Sequence, residues 1–464
     1  MSQLPAWLQE LLPILGLLVI VVLLVRRLPK VDVGHSEAFL ARRRLNWLFV
    51  GLTYAFLYMG RYNLTVAKNA LGSLITTDDF GKIFGVGTIV YGVSFVINGP
   101  LTDRYGGRAT ILVSAAGVAV LNLVMGLVLK FGDPKSLVTT FVVLYAINMY
   151  FQSFGAVSIV KVNAAWFHLR ERGTFGGIFG ILISLGIYFA FDWGRLIVEH
   201  APVPWVFFVP TAVLAVLTVI DFMIVRDTPA EAGLQDFDTA DASSGETEER
   251  LPVLEVAARM LRNPVIVIIA LVEFCSGYIR NAVMQFFPIF AKQTQTAIYV
   301  YKHWGMLNCV AGITGGMLAG VISDRVFGSR RGPVSAVLYG ALVAGTAMMI
   351  GALTTPLIGW VVVFMTLCII GVHGMLSGTA SMDFGGKKNV GIAVGIIDGL
   401  VYLGTGTVSF ILGKVLPKEG TPPAKIAASW SSWPIVILPA TIIGLVLALR
   451  LWNARPKSKA SAAH

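Results

Sequence analysis

The sequence predicts an all-α polytopic membrane protein with two pseudo-symmetric six-helix bundles and one extra N-terminal transmembrane helix. The first observation is composition: 56% of the 464 residues are hydrophobic and 13% are charged, whereas a soluble domain carries roughly 25% charged residues. The second observation is a series of apolar runs near the ~20 residues that cross a bilayer. The third is a set of polar landmarks that the second half of the chain repeats.

The apolar runs divide the chain into regions. One run lies near Leu4–Val25, and twelve more follow. We predict spans over 46–73, 82–102, 109–130, 137–164, 175–198 and 204–225, and then over 263–291, 298–322, 333–354, 357–380, 389–413 and 432–452. The acidic stretch 226–250 has few apolar residues, which is typical of a flexible linker. The predicted regions are the extra helix (1–30), a basic cytoplasmic linker (31–45), the N-terminal bundle (46–226), an acidic cytoplasmic linker (227–262), the C-terminal bundle (263–452) and a basic cytoplasmic tail (453–464).

The basic residues predict how the chain is oriented. The net charge is +11, and the basic residues occupy short loops between apolar runs, which is the positive-inside pattern of a cytoplasmic membrane and does not indicate a nucleic-acid partner. No Lys or Arg precedes Arg26, whereas Arg27 and Lys30 follow the first run. We therefore expect a periplasmic N-terminus and a cytoplasmic C-terminus in a bacterial inner membrane. A first helix that lies in the interface is the alternative.

Two landmarks recur at nearly the same offset. The second predicted span ends in GPLTDRYGGR (99–108), and the eighth ends in GVISDRVFGSR (320–330). Asp324 follows Asp103 by 221 positions, and Arg280 follows Arg61 by 219. Such a repeat indicates a duplicated six-helix unit, and a parallel duplication of two halves is the plan of the major facilitator superfamily. The Gly-x-x-x-Asp-Arg-x-Gly loop resembles the marker motif of that superfamily.

Arg61 and Arg280 lie deep inside their predicted spans, where a charged side chain is costly and is a functional candidate by default. Related by the pseudo-two-fold axis, they would face one central cavity from opposite halves. Two planar guanidinium groups suit a doubly charged tetrahedral anion, such as phosphate or a phosphate monoester. The alternative is that each arginine braces its own half.

Further motifs resemble the organophosphate:inorganic-phosphate antiporters, which include the bacterial glycerol-3-phosphate and hexose-phosphate transporters. The resemblance covers residues 45–452 and rests on Arg61-Tyr62-Asn63, RDTPAEAGL (226–234), Arg280 with Pro288, SDRVFGSRRG (323–332), Lys387-Lys388 and Tyr402-Leu403-Gly404. In that family the arginines that match Arg61 and Arg280 bind the phosphate group. The chain departs from the family at Tyr62, Phe95, Gln285 and Ala165-Trp166-Phe167, so the resemblance implies phosphate recognition and leaves the organic part of the substrate open.

Other polar side chains inside the spans are candidates for the cavity. Glu273 is expected either to orient Arg280 as an ion-pair partner or to couple transport to protons, and Asp398 is the second buried acid. His373 is interpreted as a hydrogen-bonded core histidine in preference to a residue that binds the substrate. Lys68 supplies a further cation to the cavity or reaches the outer headgroups. The remaining candidates are Tyr58, Tyr62, Gln152, Lys161, Tyr278 and Tyr402.

The charges of the repeated loops are expected to act as a cytoplasmic gate. Pairing between these loops and adjacent helix ends would keep the cytoplasmic side closed while the cavity faces outward. The predicted gate residues are Asp103, Arg104, Arg108, Asp324, Arg325 and Arg331.

These observations predict a secondary transporter that exchanges a phosphorylated organic metabolite for inorganic phosphate by alternating access. The alternatives are a proton-coupled organic-anion symporter and a non-transporting membrane sensor of an external sugar phosphate. No nucleophile–base set, phosphate-binding glycine loop or metal-ligand cluster is found, so we expect no enzyme activity, cofactor or metal. The expected partners are the anions and the lipid bilayer, and we expect a functional monomer.

Overall fold

The computed structural model describes residue 19 and residues 33–168, 171–239, 252–327 and 330–454. Helices account for most of these residues, and the described ranges contain no strand. The predicted helix over 1–30 lies outside the described residues except for Val19, and the predicted tail over 453–464 lies outside them except for its first two residues. The predicted all-α membrane fold is confirmed in the described part of the chain.

The N-terminal half contains seven helices among its described residues. They are α1 (Glu37–Leu71), α2 (Thr77–Tyr105), α3 (Gly107–Phe131), α4 (Leu137–Ala164), α5 (Arg172–Tyr188), α6 (Gly194–His200) and α7 (Trp205–Ile224), with a π-helical turn at Phe189–Trp193 between α5 and α6. The helix α1 begins nine residues before the predicted span because the Ser36 side chain caps it by accepting a hydrogen bond from the Phe39 N–H at 3.2 Å.

The C-terminal half follows the linker. Its described helices are α8 (Val253–Arg262), α9 (Pro264–Met284), α10 (Phe286–Thr294), α11 (Ile298–Lys302), α12 (Trp304–Phe327), α13 (Arg331–Ala352), α14 (Leu357–His373), α15 (Thr379–Val415) and α16 (Ser432–Arg450), with a π-helical turn at Gly374–Gly378 between α14 and α15. The helix α8 lies inside the predicted linker. It forms because Val256 and Met260 fall on one face and pack against Ile266 and Ile396.

Eleven helical segments in the described residues are long and apolar enough to cross a membrane. The helix α1, with 35 residues, lies outside this set. It is more polar because it carries Arg61, Asn63 and Lys68, and these three side chains are buried. With α1, the bundle has the twelve long segments that the sequence predicts.

Small residues allow the two halves to approach closely where α2 meets α15. A Cβ atom on Gly92 would lie 2.7 Å from the carbonyl oxygen of Gly399, and a Cβ atom on Gly81 would lie 2.6 Å from that of Ser409. Such close backbone contact is typical of helix packing in membranes. The contact brings Tyr91 of α2 beside Tyr402 of α15, with ring centroids 4.1 Å apart, and so positions side chains of both halves around Arg61.

Candidate functional site

Arg61 is fully buried in α1, and side chains from three other helices hold its guanidinium. One terminal nitrogen donates to the Tyr402 hydroxyl on α15 at 3.1 Å. The other donates to the Tyr91 hydroxyl on α2 at 2.7 Å and to Gln152 Oε1 on α4 at 3.1 Å. Gln152 is itself oriented, since its Nε2 donates to the Leu57 carbonyl at 2.8 Å. Because α15 belongs to the other half, Arg61 connects the two halves.

Aromatic rings surround the same guanidinium. Its Cζ lies 4.4 Å from the ring centroid of Tyr91, 4.6 Å from that of Tyr58, 5.7 Å from that of Tyr402 and 5.9 Å from that of Tyr62. These distances are within the range of cation–π attraction. No carboxylate in the described residues pairs with Arg61, and its buried Nε has no hydrogen-bond partner there. The site therefore stabilises the cation without neutralising it.

Arg280 lies on α9 in the other half and is 7% exposed. Its Cζ lies 5.5 Å from the ring centroid of Tyr402, which also contacts Arg61. Within the described part of the chain, the Arg280 side chain has neither a hydrogen bond nor an ion pair. One tyrosine ring thus contacts two cations, one from each half, and neither cation forms an ion pair with a carboxylate of the described residues.

Arg61 and Arg280 line one cavity between the halves. The other residues with polar groups in its wall are Tyr62, Thr88, Asn281, Gln285, Tyr402 and Thr405. The cavity measures about 10 Å³, close to the minimum for a single water, so a phosphate ester would fit only after the halves separate. The described residues contain no cluster of His, Cys, Asp or Glu suited to a metal, and the three cysteines are buried and unpaired. The chemistry of the wall favours an anion.

The structure brings several of the predicted cavity residues together and places others elsewhere. Tyr58, Tyr62, Gln152 and Tyr402 all contact Arg61. The Tyr278 hydroxyl instead donates to the Val436 carbonyl on α16 at 3.3 Å. Thr88, Tyr91, Asn281 and Thr405 were missed, because an isolated hydroxyl or amide in an apolar helix carries no sequence signal until a neighbouring half supplies its partner.

Lys68 and Lys161 lie at opposite ends of the bundle, away from the cavity. Lys68 is fully buried and forms an ion pair with Glu419 in the loop after α15, so it neither lines the cavity nor reaches headgroups in this structure. Lys161 Nζ lies 2.7 Å from Asp103 Oδ1. We call the end of the bundle that contains Lys68 and Glu419 the Lys68 end, and the end that contains Lys161 and Asp103 the Asp103 end.

The buried acids of the C-terminal half have partners other than Arg280. Glu273 lies 2.8 Å from the Nδ1 atom of His373, and no ion pair between Glu273 and Arg280 forms among the described side chains. In this structure Glu273 contacts the imidazole of α14 through Oε2 and makes no direct ion pair with Arg280, which lies two helical turns along α9. Asp398 accepts a hydrogen bond from the Ser377 hydroxyl.

At the Asp103 end, Arg108 contacts the end of α7 and the start of the linker that follows it. The Arg108 N–H donates to Asp227 Oδ1 at 2.7 Å, and the Arg108 guanidinium donates to the Phe222 carbonyl at 2.6 Å. Burial raises the pKa of the Asp227 carboxyl, although the bond from Arg108 opposes this shift. Arg104 lies 5.4 Å from the Tyr105 ring centroid. Asp324 has no described side chain, and Arg325 and Arg331 lie at the end of α12 and the start of α13.

Contacts between the halves occur at the Lys68 end. Glu419 binds Lys68 and also accepts from Gln293 Nε2 at 2.6 Å. Beside the cavity, Thr65 of α1 donates to the Gln285 side chain. The buried Asp192, in the π-helical turn after α5, accepts from the N–H groups of Gly305 and Met306 at the start of α12, at 2.7 and 2.8 Å. The halves are therefore joined at this end.

Two six-helix halves around one central polar cavity define a membrane transport protein. The chain belongs to the Major Facilitator Superfamily, whose family model matches residues 50–409. Family and relatives indicate a multi-pass transport protein and not an enzyme.

Over 453 residues the chain is 26% identical to a glycerol-3-phosphate transporter of Bacillus subtilis, covering 93% of this chain and 97% of the relative. A probable hexose phosphate transport protein of Chlamydia trachomatis is 24% identical, covering 90% and 92%, and the membrane sensor protein UhpC of Escherichia coli is 24% identical, covering 90% and 94%. The predicted resemblance is confirmed.

Solved structures support the same fold. A bacterial homologue of the human lysosomal transporter Spinster, in an inward-facing and unoccupied conformation, superposes with a TM-score of 0.61 at 12% identity, covering 90% of this chain and 97% of that one. The nucleoside transporter NupG superposes with a TM-score of 0.55 at 14% identity, covering 87% and 98%. At these identities the likeness concerns the fold alone.

Proposed function

We propose that this protein exchanges a phosphorylated organic metabolite for inorganic phosphate across a bacterial inner membrane by alternating access. The observation that carries the proposal is that Arg61 and Arg280 line one cavity between the halves, and that neither forms an ion pair among the described residues. The relatives named above are, by their names, transporters of glycerol 3-phosphate and hexose phosphate or a membrane sensor, which supports a phosphate ester as substrate.

The exchange follows from charge. A phosphate dianion between the two guanidinium groups would offset both positive charges, and each planar group can bind two phosphate oxygens. The loaded protein can close around the anion and reopen on the other side. The empty protein keeps two cations near one another in a cavity of low dielectric, which disfavours closure. Return with inorganic phosphate is therefore faster than return without a ligand.

Both halves take part in the proposed exchange. Each half contributes one arginine, so the anion is bound fully only when both halves are close to it. The contacts at the Lys68 end must break for the site to open there, and the Asp103 end opens in the alternate phase. This is the rocking of two rigid bundles around a fixed site.

A sensor of an external phosphate ester is the second candidate function. It is favoured by the similarity to UhpC, which extends over 90% of this chain. A sensor would use the same arginines to bind the ester, but the occupied protein would stay in one conformation and give little flux.

Reconstitution into liposomes loaded with radiolabelled phosphate tests the proposal. Addition of glycerol 3-phosphate, a hexose 6-phosphate or phosphoglycerate outside should release the label much faster than buffer alone. Liposomes that are loaded with the same radiolabelled phosphate but contain no protein serve as the control for leakage. Binding of an ester without release of label would favour the sensor, and the absence of both binding and release would contradict the proposal.

A further inference from the structure

A buried carboxylate and an imidazole share a hydrogen bond inside the C-terminal half, where the carboxylate lies on the same helix as Arg280. Glu273 of α9 is fully buried, and its Oε2 lies 2.8 Å from Nδ1 of the partly buried His373 of α14. The other carboxylate oxygen, Oε1, is buried and has no hydrogen-bond partner among the described residues. A buried oxygen without a donor is costly for an ionised carboxylate, so this pair requires an explanation.

Among the described side chains, charged groups lie near the pair, but none of the lysines or arginines forms an ion pair with Glu273. Asp398 of α15 lies near both members, and the Ser377 hydroxyl donates to it. Arg280 is two helical turns from Glu273 on the same face of α9 and attracts it electrostatically without forming an ion pair. The charged and titratable groups that face Glu273 are His373 from α14, Asp398 from α15, Tyr339 from α13, and Cys275 and Arg280 from its own helix.

The charge of the Glu273–His373 pair depends on how many protons the two side chains hold. A protonated imidazole beside an ionised carboxylate and a neutral imidazole beside a carboxylic acid both contain one shared proton. Either arrangement leaves a favourable short hydrogen bond. Loss of that proton leaves an ionised carboxylate that can still accept a hydrogen bond from the ring N–H of the neutral imidazole. The pair then carries one net negative charge, with Asp398 as a second acid nearby. In that state Arg280 is the compensating cation within reach.

We propose that Glu273 and His373 form a proton-binding site that is coupled to anion binding at Arg280, so that the protein takes up a proton together with its phosphate ligand. This inference rests on the proposed function, since it requires an anion at Arg280. When the anion binds, it offsets the charge of Arg280 and removes the compensation of the deprotonated pair. The pair then retains or acquires its proton. By linkage, the protonated pair binds the anion more tightly by the same factor.

The π-helical turn after His373 supports a functional role for this place. Such turns occur frequently at functional sites, because they shift the register of a helix by one residue. Here the turn Gly374–Gly378 directly follows His373 and carries Ser377, the partner of Asp398. One turn therefore connects the imidazole to both acids.

Coupling of one proton to one anion has a transport consequence. If the proton moves with the phosphate ester and not with the returning phosphate, a proton gradient drives net accumulation of the ester. One linked proton changes the affinity for the anion by up to about tenfold per pH unit where the pair titrates.

Proton counting in solution tests the site. Purified protein in detergent is titrated with inorganic phosphate by calorimetry, in two buffers of different ionisation enthalpy, at several pH values between 6 and 9. The wild type should take up more protons per bound phosphate than Glu273→Gln, with a difference that approaches one at its maximum. The difference between the two proteins cancels the ionisation of phosphate itself.

Two further variants make the test specific. His373→Gln removes the imidazole and should lose the same protons, which covers the case of a poorly folded Glu273→Gln. Asp221→Asn is the matched control, because Asp221 is a buried acid of α7 that binds the Thr53 hydroxyl at 2.7 Å, far from Arg280. It should behave as the wild type.

The outcomes separate this inference from the proposed function. Phosphate binding with equal proton uptake in the wild type, Glu273→Gln and His373→Gln overturns the proton site and leaves the arginine site intact. Phosphate that does not bind the wild type at any pH overturns both. Reduced uptake in Glu273→Gln and His373→Gln, with normal uptake in Asp221→Asn, supports the coupled site.

Discussion

At the scale of single residues, tyrosine side chains hold the guanidinium of Arg61 in place and leave it positively charged. Hydroxyl groups of Tyr91 and Tyr402 accept hydrogen bonds from it, and the rings of Tyr58 and Tyr91 lie within 4.6 Å of its Cζ. A carboxylate in the same place would neutralise the arginine and compete with an incoming anion. Cation–π contacts of about 0.5–2 kcal/mol each orient the group and leave its charge available.

The first prediction concerns the Tyr402 hydroxyl. Tyr402→Phe keeps the ring between Arg61 and Arg280 but removes the acceptor at 3.1 Å from Arg61. A hydrogen bond to a charged group contributes roughly 1.5–3 kcal/mol, so phosphate affinity should fall about tenfold or more. Equilibrium binding of inorganic phosphate to the purified variant measures the change.

Tyr145→Phe is the matched control for that change. The Tyr145 hydroxyl donates at 3.0 Å to the carbonyl of Arg61, on the backbone and outside the cavity wall. Its loss should lower thermal stability in detergent and leave phosphate affinity within a factor of two or so. Equal losses of affinity in both variants would contradict a specific role for Tyr402.

Sequence patterns located the two cations but not their environment. A charged residue in an apolar span is conspicuous, so Arg61 and Arg280 could be named and their approach inferred from the repeat. Tyr91 and Glu419 could not, because their roles depend on which helix of the other half comes near. The partner of Lys68 could not be inferred for the same reason, since Glu419 lies 351 positions away in a loop.

At the scale of elements, we propose that the contacts across the Lys68 end act as a gate. Lys68 ends α1 with its ammonium fully buried against Glu419, and Asp192 accepts hydrogen bonds from the first N–H groups of α12. A carboxylate at a helix N-terminus is stabilised by the free N–H groups and the helix dipole. Both contacts join opposite halves and must separate when this end opens.

The second prediction concerns the Lys68–Glu419 pair. Glu419→Gln leaves a buried ammonium without its partner, and breaking a buried pair costs about 3–5 kcal/mol. Opening hydrates Lys68, so the equilibrium should shift toward the conformation open at this end by roughly tenfold or more. Labelling of Thr65→Cys by an impermeant thiol reagent, in a protein whose natural cysteines are replaced by alanine, measures that opening.

Lys82→Gln serves as the control for this variant. Lys82 pairs with Asp78 at 2.6 Å near the same end, but the pair lies within α2 and the lysine side chain is 48% exposed. Its removal should change labelling little, because exposed pairs of this kind contribute a few tenths of a kcal/mol. Equal labelling in the wild type and Glu419→Gln would show that the pair does not hold the halves together.

Helices were predicted well where hydropathy sets them and poorly where capping or local packing does. The long apolar spans are set by the need to bury every backbone polar group in lipid, so composition reveals them. The early start of α1 depends on the Ser36 cap, and α8 depends on Val256 and Met260, which pack against the C-terminal half. The π-helical turns have no composition signal, since glycine and aromatic residues are common throughout these spans.

At the scale of the whole molecule, duplication explains why one site can serve two conformations. Each half supplies one arginine at a matched position, and Tyr402 contacts both. A ligand that contacts both halves stabilises the arrangement in which they meet, and its departure removes that stabilisation. The repeat in the sequence was enough to predict the pairing of the arginines, whereas the end at which the halves are joined required the structure.

Binding of inorganic phosphate to Arg61→Lys, Arg280→Lys and the double variant tests most directly whether the two arginines bind one anion. Each single change should severely weaken binding, since an ammonium keeps the charge but loses the planar fork. Complete truncation of either desolvated charge would cost about 2–5 kcal/mol. The double variant should lose less than the sum of the singles, because both groups act on one ligand. Arg195→Lys, in an exposed pair within α6, should bind normally. Folded single variants that bind phosphate with wild-type affinity would contradict the account.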